Sequence, residues 1–399
     1  MEFSMVTKTW KRERYFGRLI FLGGGGERYN RQQRRNLVNV RLKWVKDWTL
    51  DTAVTGKKDL CAACTIISLI SSSPERRLPI YHLSARRNEL GLPADVRVSS
   101  FLRRHPSIFQ ETRGMENSGN QAPHFSLTDE AEEVRRDEVC ILEQNETDLV
   151  ERLSKLLMLS RDMILPLQII DQLRWDLGLP YGYANSLIPM HLDLFELVNL
   201  ADDRVGLKLR VRDDRLAVSA LERNAPQSNS SGGCLAFPIR FTRGFGLKKK
   251  CQSWLAEWQQ LPYTSPYCDS SHLDRRTDVS EKRIVGVFHE LLHLTLHKLT
   301  ERNNVSNLRK PFSLPQRFSM VFERHPGIFY ISKKCDVQTV VLREGYDGRQ
   351  LLNKHPLVGI RERYAALMEQ GFLDKSKGLY RKSDDSEKIV KEHTGLIEN

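Results

Sequence analysis

The sequence predicts an α+β fold that is predominantly helical and is made of tandem helix-turn-helix-like units with short antiparallel β hairpins. The first supporting observation is the stretch 308–332, in which Pro315 suits the first turn of a short helix and Pro326 ends that helix. Residues 328–331, which follow, are β-branched or aromatic and are typical of a strand. Basic residues surround the single acid Glu323, and a basic rim around an aromatic core suits a polyanion.

The same pattern occurs twice more, and this repetition is the second observation. A close copy spans residues 91–109, and a weaker copy spans residues 178–195. The close copy shares an Arg-His-Pro triplet, which lies at 104–106 and again at 324–326. Three copies of one unit predict a repeated architecture. Core packing explains the apolar residues after each triplet, but it does not require the arginines.

Alternation and capping residues predict the remaining elements. Apolar and basic residues alternate over 205–218, which predicts a hairpin with one basic face. That face is either a solvated strand surface or a binding surface. Thr128 is suited to cap an acidic helix over 129–151. Pro238 marks the predicted strand 235–241 as an edge strand.

The amino-acid composition restricts the kinds of partner that the protein is suited to bind. The chain has 399 residues, with 62 Lys and Arg against 50 Asp and Glu, a net charge of +12 and a pI of about 9.4. This balance favours a nucleic acid or an anionic membrane surface over acidic small substrates. No apolar run approaches the ~20 residues needed to span a bilayer. The seven scattered cysteines indicate reduced thiols, and the single pair Cys61 and Cys64 fits a buried helix better than a metal site.

The two ends of the chain differ from its middle. Residues 1–46 hold twelve Lys or Arg against three Glu, the acid-poor and arginine-rich balance of organelle transit peptides. A basic disordered arm is the alternative interpretation. We therefore expect a targeting or disordered arm at 1–37, a domain of repeated units at 38–373 and a polar tail at 374–399.

One catalytic motif lies in the predicted long helix 283–298. Residues 289–293 fit HExxH, which places two imidazoles on one helical face for zinc and a glutamate beside them as general base. A zinc hydrolase also needs a third ligand. Glu301 is too close in sequence, Glu323 belongs to a basic unit, and His297 would crowd the same face. We interpret the motif as a coincidence and expect no metal, with a zinc-dependent hydrolase as the alternative, based on His289, Glu290 and His293.

A resemblance to a known family covers most of the chain and rests on many colinear strings. They lie at residues 41–47, 72–79, 97–106, 125–131, 235–238, 261–267, 286–292, 324–330 and 342–346. In these strings the sequence resembles the plant organelle RNA recognition domain, the PORR domain, over roughly residues 38–373. The resemblance implies an RNA-binding protein of mitochondria or plastids that promotes splicing of group II introns. It implies no catalytic residue.

The predicted RNA contacts are basic residues, because RNA affinity rests on phosphate contacts and on stacking against exposed aromatic rings. The candidates are Arg103, Arg104, Lys208, Arg210, Arg212, Arg243, Lys248, Lys249, Lys250, Arg309, Lys310, Arg317, Arg324 and Lys333. For Arg324 we expect a forked contact with phosphate that lysine cannot copy, and for Arg104 a weaker one. The alternative for both arginines is a clamp on the carbonyls of a helix end.

The expected partners are organellar intron-containing RNA and other splicing factors in a ribonucleoprotein. The expected compartment is the mitochondrion, with the chloroplast as the alternative. No cofactor and no enzymatic activity are expected. A third hypothesis is a scaffold that holds other splicing proteins, with the acidic helix 129–151 as its docking face and the charge serving solubility alone.

Overall fold

The computed structural model describes residues 38, 40, 42–115, 121–225 and 234–376. The predicted arm at 1–37 lies outside the described residues, as does the predicted tail from residue 377 onward. Within the described ranges the fold is mixed α+β and mostly helical, with small antiparallel sheets, which confirms the predicted fold class. None of the helices in these ranges combines the length and the apolar character that a bilayer crossing needs.

The elements alternate between helices and short strands. The described helices are α1 (Trp48–Val54), α2 (Lys57–Ser71), α3 (Ile80–Ala85), α4 (Arg87–Leu90), α5 (Val98–Arg104), α6 (Asp129–Gln144), α7 (Glu146–Met158), α8 (Leu167–Leu177), α9 (Tyr183–Met190), α10 (Ala220–Arg223), α11 (Lys249–Gln259), α12 (Asp278–Leu294), α13 (Arg302–Asn307), α14 (Met320–Arg324) and α15 (Pro356–Ser376). The described strands are β1 (Arg77–Pro79), β2 (Phe109–Met115), β3 (Gln121–Leu127), β4 (Ile164–Pro166), β5 (Phe195–Asn199), β6 (Val205–Leu209), β7 (Leu299–Glu301), β8 (Phe329–Ser332), β9 (Thr339–Leu342), β10 (Tyr346–Asp347) and β11 (Gln350–Leu351). A 3₁₀ turn, Arg343–Gly345, follows β9.

Three of the sheets repeat one topology. Their strand orders are β1-β3-β2, β4-β6-β5 and β7-β9-β8, and all their pairings are antiparallel. In each unit a long helix leads into a three-residue strand, two or three helices follow, and a hairpin completes the sheet. This order of elements is that of a winged helix, in which the hairpin forms the wing. The chain therefore contains three winged-helix-like units in tandem.

Backbone conformation marks equivalent positions in the three units. A left-handed φ occurs one residue before the first strand of each unit, at Arg76, Met163 and Lys298. A second left-handed φ occurs before the last helix of each unit, at Gly91, Gly178 and Ser313. The two sets have the same spacings along the chain, so the repetition extends to individual residues.

The repeated Arg-His-Pro phrase is a helix stop. The carbonyl of His105 accepts the amides three and four residues later, at 3.1 and 3.0 Å. The carbonyls of His191, in the weaker copy, and of His325 accept the corresponding amides at 2.9–3.0 Å. The apolar residues after the two full triplets are buried, which confirms their interpretation as core: Ile108, Phe109, Ile328 and Phe329.

Two hydrophobic cores hold the units together. The larger core combines apolar side chains of the second and third units, and the smaller core belongs to the first unit. Helix α15 contributes Leu357 and Val358 to the larger core. It contributes Ile360, Tyr364 and Met368 to the smaller core. One helix therefore fastens the first unit to the other two.

Two local predictions are confirmed. The side chain of Thr128 caps α6 and accepts the amide of Ala131 at 3.3 Å. The predicted acidic helix is in fact two helices, α6 and α7, which meet at Asn145. Cys61 and Cys64 lie on α2, and burial raises the pKa of the Cys61 thiol to about 11. A thiol that stays protonated at neutral pH is a poor metal ligand.

Three other elements differ from prediction. Strand β6 pairs with β4 and β5, so the predicted hairpin within 205–218 is wrong. Residues 235–241 form no strand, and the amide of Arg240 instead donates to the carbonyl of Gly327 at 2.8 Å. Helix α12 ends at Leu294, so His297 lies beyond the helix and does not extend the row of histidines on its face.

Candidate nucleic-acid interface

Two exposed tryptophans lie beside lysines on the surface of the third unit. Trp48 is 71% exposed and Trp44 is 38% exposed. The ammonium of Lys46 lies 3.5 Å from the centroid of the Trp48 ring, and that of Lys333 lies 4.5 Å from the Trp44 ring. We call this region the Trp44–Trp48 surface, and it consists of Trp44, Lys46, Trp48, Arg243, Lys333 and Lys334.

Strand β8 fixes the position of Trp44. The indole Nε1 of Trp44 donates to the carbonyl of Ile331 at 2.9 Å. The indole ring stacks on Tyr330, with the centroids 6.3 Å apart and the planes at 16°. The Tyr330 hydroxyl accepts the amide of Asp47 at 3.1 Å and donates to Asp51 at 2.9 Å. Trp44, Asp47 and Asp51 therefore attach this segment to strand β8 of the third unit.

A buried ion pair completes this attachment. The Arg343 guanidinium contacts the Asp47 carboxylate at 2.8 Å, and the Thr242 hydroxyl donates to the same carboxylate at 3.0 Å. Burial acts to raise the pKa of Asp47, but hydrogen bonds from Thr49 and Arg343 outweigh it, so that the pKa lies below its usual value. Thr242 thereby brings its exposed neighbour Arg243 to the edge of the Trp44–Trp48 surface.

This arrangement can bind a single-stranded polyanion. Bases stack on exposed aromatic rings, and each base has a π-face that an indole can meet. Lysine is a flexible point charge, so the ammonium groups over the rings can move to phosphates while bases take their place. The surface therefore combines stacking with charge.

A basic cavity of about 430 Å³ is a second feature of the second and third units. Its lining includes four arginines, Arg161, Arg212, Arg275 and Arg283, and one carboxylate, Asp269. The Arg212 guanidinium donates to the carbonyl of Tyr267 at 3.0 Å, and the cavity wall holds it in place. A planar guanidinium can donate two parallel hydrogen bonds to two oxygens of one phosphate. The cavity is thus suited to a phosphate or a nucleotide.

Most of the predicted contact residues lie on the surface. Eleven are exposed: Arg103, Arg104, Arg210, Arg212, Arg243, Lys248, Lys249, Lys250, Lys310, Arg317 and Lys333. Of these, Arg243 and Lys333 belong to the Trp44–Trp48 surface. Lys250 lines a cleft together with Val38, so the run of three lysines at the start of α11 approaches the segment that leads to Trp44.

Three of the exposed residues, Arg103, Arg210 and Arg212, already have partners within the protein, and two other candidates are less exposed. Arg103 forms a forked pair with Glu111, at 2.7 and 2.6 Å. Arg210 lies 3.9 Å from Glu196, and Arg212 belongs to the cavity wall. Two further candidates are half-buried, Lys208 and Arg309. All five residues stay predictions, and their charges are either engaged by protein groups or less accessible to solvent.

The expectation for Arg324 is wrong, because this side chain is buried. Its guanidinium contacts Glu281 at 2.9 Å and Asp278 at 3.4 Å, and it donates to the carbonyl of Val38 at 2.6 Å. It also lies over the ring of Trp254. Every face of the guanidinium is thus used inside the protein, and the partners are acids of α12 rather than carbonyls of its own helix.

The pKa values of the two carboxylates beside Arg324 shift in opposite directions. Burial and the nearby charge of Glu281 raise the pKa of Asp278 to about 6, although Arg324 opposes this shift. Burial also acts to raise the pKa of Glu281, but hydrogen bonds with His325 and Arg324 leave it below its usual value. Arg324 is therefore a structural residue of the third unit.

Glu290, the glutamate of the HExxH motif, has a structural role in helix α12. Glu290 is fully buried and forms an ion pair with Lys155 at 3.0 Å. It also accepts the hydroxyl of Tyr267 at 2.7 Å and the amide of Ala220 at 2.6 Å. Burial acts to raise its pKa, but Lys155 outweighs it and keeps the pKa low. Glu290 cannot serve as the general base of a hydrolase in this arrangement.

The acidic face proposed for a scaffold is partly covered. Helix α15 packs along α6, where Arg363 pairs with Asp137 and the Tyr364 hydroxyl donates to Glu138 at 3.2 Å. These contacts belong to the junction between the first unit and the rest of the protein. They leave less of α6 for a partner protein than the sequence predicts.

The residues of the surface that the sequence did not single out are Trp44, Lys46, Trp48 and Lys334. A signal was present, since two lysines alternate with two tryptophans over residues 43–48. Aromatic residues between basic ones are typical of nucleic-acid binding. Sequence alone could not tell that these indoles are exposed, because most tryptophans are largely buried.

Known proteins are similar in sequence to this chain over most of its length. The family described as the plant organelle RNA recognition domain matches residues 45–373. The Arabidopsis thaliana protein WHAT'S THIS FACTOR 9, mitochondrial, is 36% identical over 350 residues, which cover 86% of this chain and 89% of the relative. The WHAT'S THIS FACTOR 1 homolog, chloroplastic, of the same plant is 32% identical over 83% of this chain and 64% of the relative.

A further relative has a name that mentions no organelle. ROOT PRIMORDIUM DEFECTIVE 1 of Arabidopsis thaliana is 29% identical over 81% of this chain and 82% of the relative. No solved structure is significantly similar to the chain. The organelles in the names of the first two relatives agree with the predicted localisation, the mitochondrion with the chloroplast as the alternative.

Proposed function

This chain belongs to the plant organelle RNA recognition domain family, and from that premise we propose that it is a non-catalytic RNA-binding protein that promotes splicing of organellar group II introns. Its proposed partners are intron-containing RNA of the mitochondrion, or alternatively of the chloroplast, and other splicing factors. The proposed RNA-binding domain spans residues 38–373, with a basic arm before it and a polar tail after it.

The observation that carries the proposal is the Trp44–Trp48 surface. An indole that is 71% exposed contributes little to a hydrophobic core, so core packing does not explain Trp48. Exposed aromatic rings next to mobile ammonium groups are what a single-stranded RNA needs for stacking and charge neutralisation. The net charge of +12 supports the same class of partner.

The three units support binding over a length of RNA rather than at one point. The Trp44–Trp48 surface lies on the third unit, and the arginine-lined cavity lies between elements of the second and third units. Arg104 adds an exposed charge on the last helix of the first unit. We expect each of these sites to bind RNA weakly on its own, and linked sites raise the overall affinity through effective concentration.

A salt titration tests the proposal. The affinity of the purified full chain for an organellar group II intron RNA should fall linearly on a logarithmic scale as salt rises, with a slope set by the number of phosphates neutralised. Duplex RNA of the same length is the control, because its bases are not available for stacking, and it should bind more weakly. Affinity that is independent of salt, or equal for the duplex, would refute the proposed mode of binding.

A further inference from the structure

Two histidines and one glutamate converge in the third unit. His289 and His293 lie one turn apart on α12, and Glu344 comes from the 3₁₀ turn after β9. The Nε2 atoms of the two histidines lie 2.8 and 2.5 Å from the same carboxylate oxygen, Oε1 of Glu344. All three ligand atoms lie within 4.8 Å of one another. The sequence did not point to Glu344, because it is distant in the chain from both histidines.

Hydrogen bonds alone do not satisfy these polar groups. Oε1 of Glu344 faces both imidazoles, whereas its Oε2 is buried and has no hydrogen-bond partner. His289 is 1% exposed, and neither of its ring nitrogens makes a well-oriented hydrogen bond, although its Nε2 lies within reach of Glu344. Buried polar atoms without partners are costly and need an explanation. A cation that accepts a lone pair from each group supplies one.

We propose that His289, His293 and Glu344 form a zinc-binding site. Zinc takes imidazole and carboxylate ligands at ~2.0–2.2 Å in a tetrahedron, whose corners stand ~3.3 Å apart, so Glu344 would have to retreat by less than ~1 Å. The side chains of His293 and Glu344 are 17% and 12% exposed, so the cluster borders solvent, from which a water would complete the tetrahedron. Divalent zinc is favoured over magnesium or calcium, which prefer ligand sets made of oxygen.

The site binds an ion without hydrolysing a substrate. Glu290, the residue that would activate water, is fully buried among Lys155, Tyr267 and Ala220. The ion would instead tie α12 to the turn that ends the third sheet. That turn also contains Arg343, which pairs with Asp47 beneath the Trp44–Trp48 surface. Zinc would thereby stiffen the frame on which the exposed tryptophans lie.

The test compares three matched variants of the tag-free full chain. His293→Gln keeps an N–H that can donate to Glu344 but removes the metal ligand, and Glu344→Gln removes the anionic ligand. His272→Gln is the control, because His272 is exposed and lies outside the cluster. After dialysis against zinc, the unaltered chain and the control should hold about one zinc per chain, and the two ligand variants should bind at least about tenfold more weakly.

Cobalt and heat provide readouts that do not depend on the variants. Cobalt(II) in the unaltered chain should show the intense visible absorption of a tetrahedral site, and zinc should raise the melting temperature because it binds the folded state. Circular dichroism checks that each variant is folded. The proposal would be overturned if the unaltered chain binds well under one zinc per chain and its melting temperature does not change with zinc or with a chelator. Equal zinc binding by a folded His293→Gln chain would overturn it as well.

Discussion

Replacing Trp48 by alanine removes the most exposed aromatic ring of the Trp44–Trp48 surface and leaves the packing of α1 in place. Helix α1 is held by the buried side chains of Leu50, Asp51 and Val54 and by its cap Asp47, none of which the substitution touches. An exposed substitution of this kind changes stability by ~0.5 kcal/mol or less. The fold should therefore survive, and any loss of RNA binding should report on the surface itself.

The expected loss of affinity follows from stacking. One base stacked on an aromatic ring contributes ~1–3 kcal/mol, so the dissociation constant for single-stranded intron RNA should rise by about 5- to 150-fold. The assay is equilibrium binding of a labelled intron fragment at fixed salt, with the melting temperature measured in parallel. Trp48→Phe keeps a smaller π-face and should lose only part of the affinity.

Tyr81→Ala is the matched control for this prediction. Tyr81 is 49% exposed on α3 of the first unit, and it lies outside the proposed surface. Its removal should leave the affinity within about twofold of the unaltered chain, since it breaks no proposed stack. The reasoning fails if Trp48→Ala binds RNA as tightly as the unaltered chain, or if Tyr81→Ala loses as much affinity as Trp48→Ala.

Three other predictions concern charge and stability. Lys333→Gln should weaken binding to all RNA sequences alike and reduce the salt slope by ~1, and an unchanged slope would remove this lysine from the interface. Arg324→Ala should cost ~3–5 kcal/mol in urea unfolding, because it removes the guanidinium that pairs with two buried carboxylates, whereas the exposed Arg104→Ala should cost ~0.5 kcal/mol or less. Equal costs would contradict the burial of Arg324. Burial acts to raise the pKa of Asp148, but hydrogen bonds from His355 and a neighbouring arginine hold this pKa at about 2. The ionised carboxylate therefore stabilises the folded state fully above pH 3.8, and this stabilisation is lost as the pH falls toward 2. Asp148→Asn should remove this pH-dependent contribution to the free energy of unfolding, which is below ~1 kcal/mol because the carboxylate is half exposed. Identical pH profiles of unfolding for the unaltered chain and the variant would contradict the prediction.

The parts of the fold that depend on local chemistry could be predicted from the sequence. Pro315 and Pro326 act on their own neighbours, and the glycines at 91 and 178 adopt a backbone conformation that other residues rarely adopt. These signals revealed three repeated units. The first strand of each unit, with only three residues, was too short to carry a pattern of its own.

Strand pairing could not be predicted in the same way. The alternation over 205–209 predicts a strand, but the partner of that strand depends on which other segment packs beside it. In the structure the partners are β4 and β5, which both precede it, and the residues after 210 turn away from the sheet. The extended segment near Pro238 likewise runs beside Gly327 without joining a ladder.

The two Arg-His-Pro triplets show why contact residues are harder to predict than elements. Arg104 and Arg324 occupy equivalent positions at the ends of equivalent helices, yet one is exposed and the other is buried. The difference comes from Asp278 and Glu281, which lie on another helix, more than forty positions earlier in the chain. For the same reason the sequence did not indicate that Glu344 lies beside the histidines of α12, because no local pattern reveals a neighbour so distant in the chain.

The central claim is that this chain binds intron RNA in an organelle through the Trp44–Trp48 surface. Ultraviolet crosslinking of the protein to RNA in isolated plant organelles, followed by sequencing of the crosslinked RNA, tests it most directly. We predict that group II intron sequences are enriched with the unaltered chain and that this enrichment is lost with Trp48→Ala at equal protein abundance. Crosslinked RNA without intron enrichment, or enrichment that Trp48→Ala leaves intact, would contradict the claim.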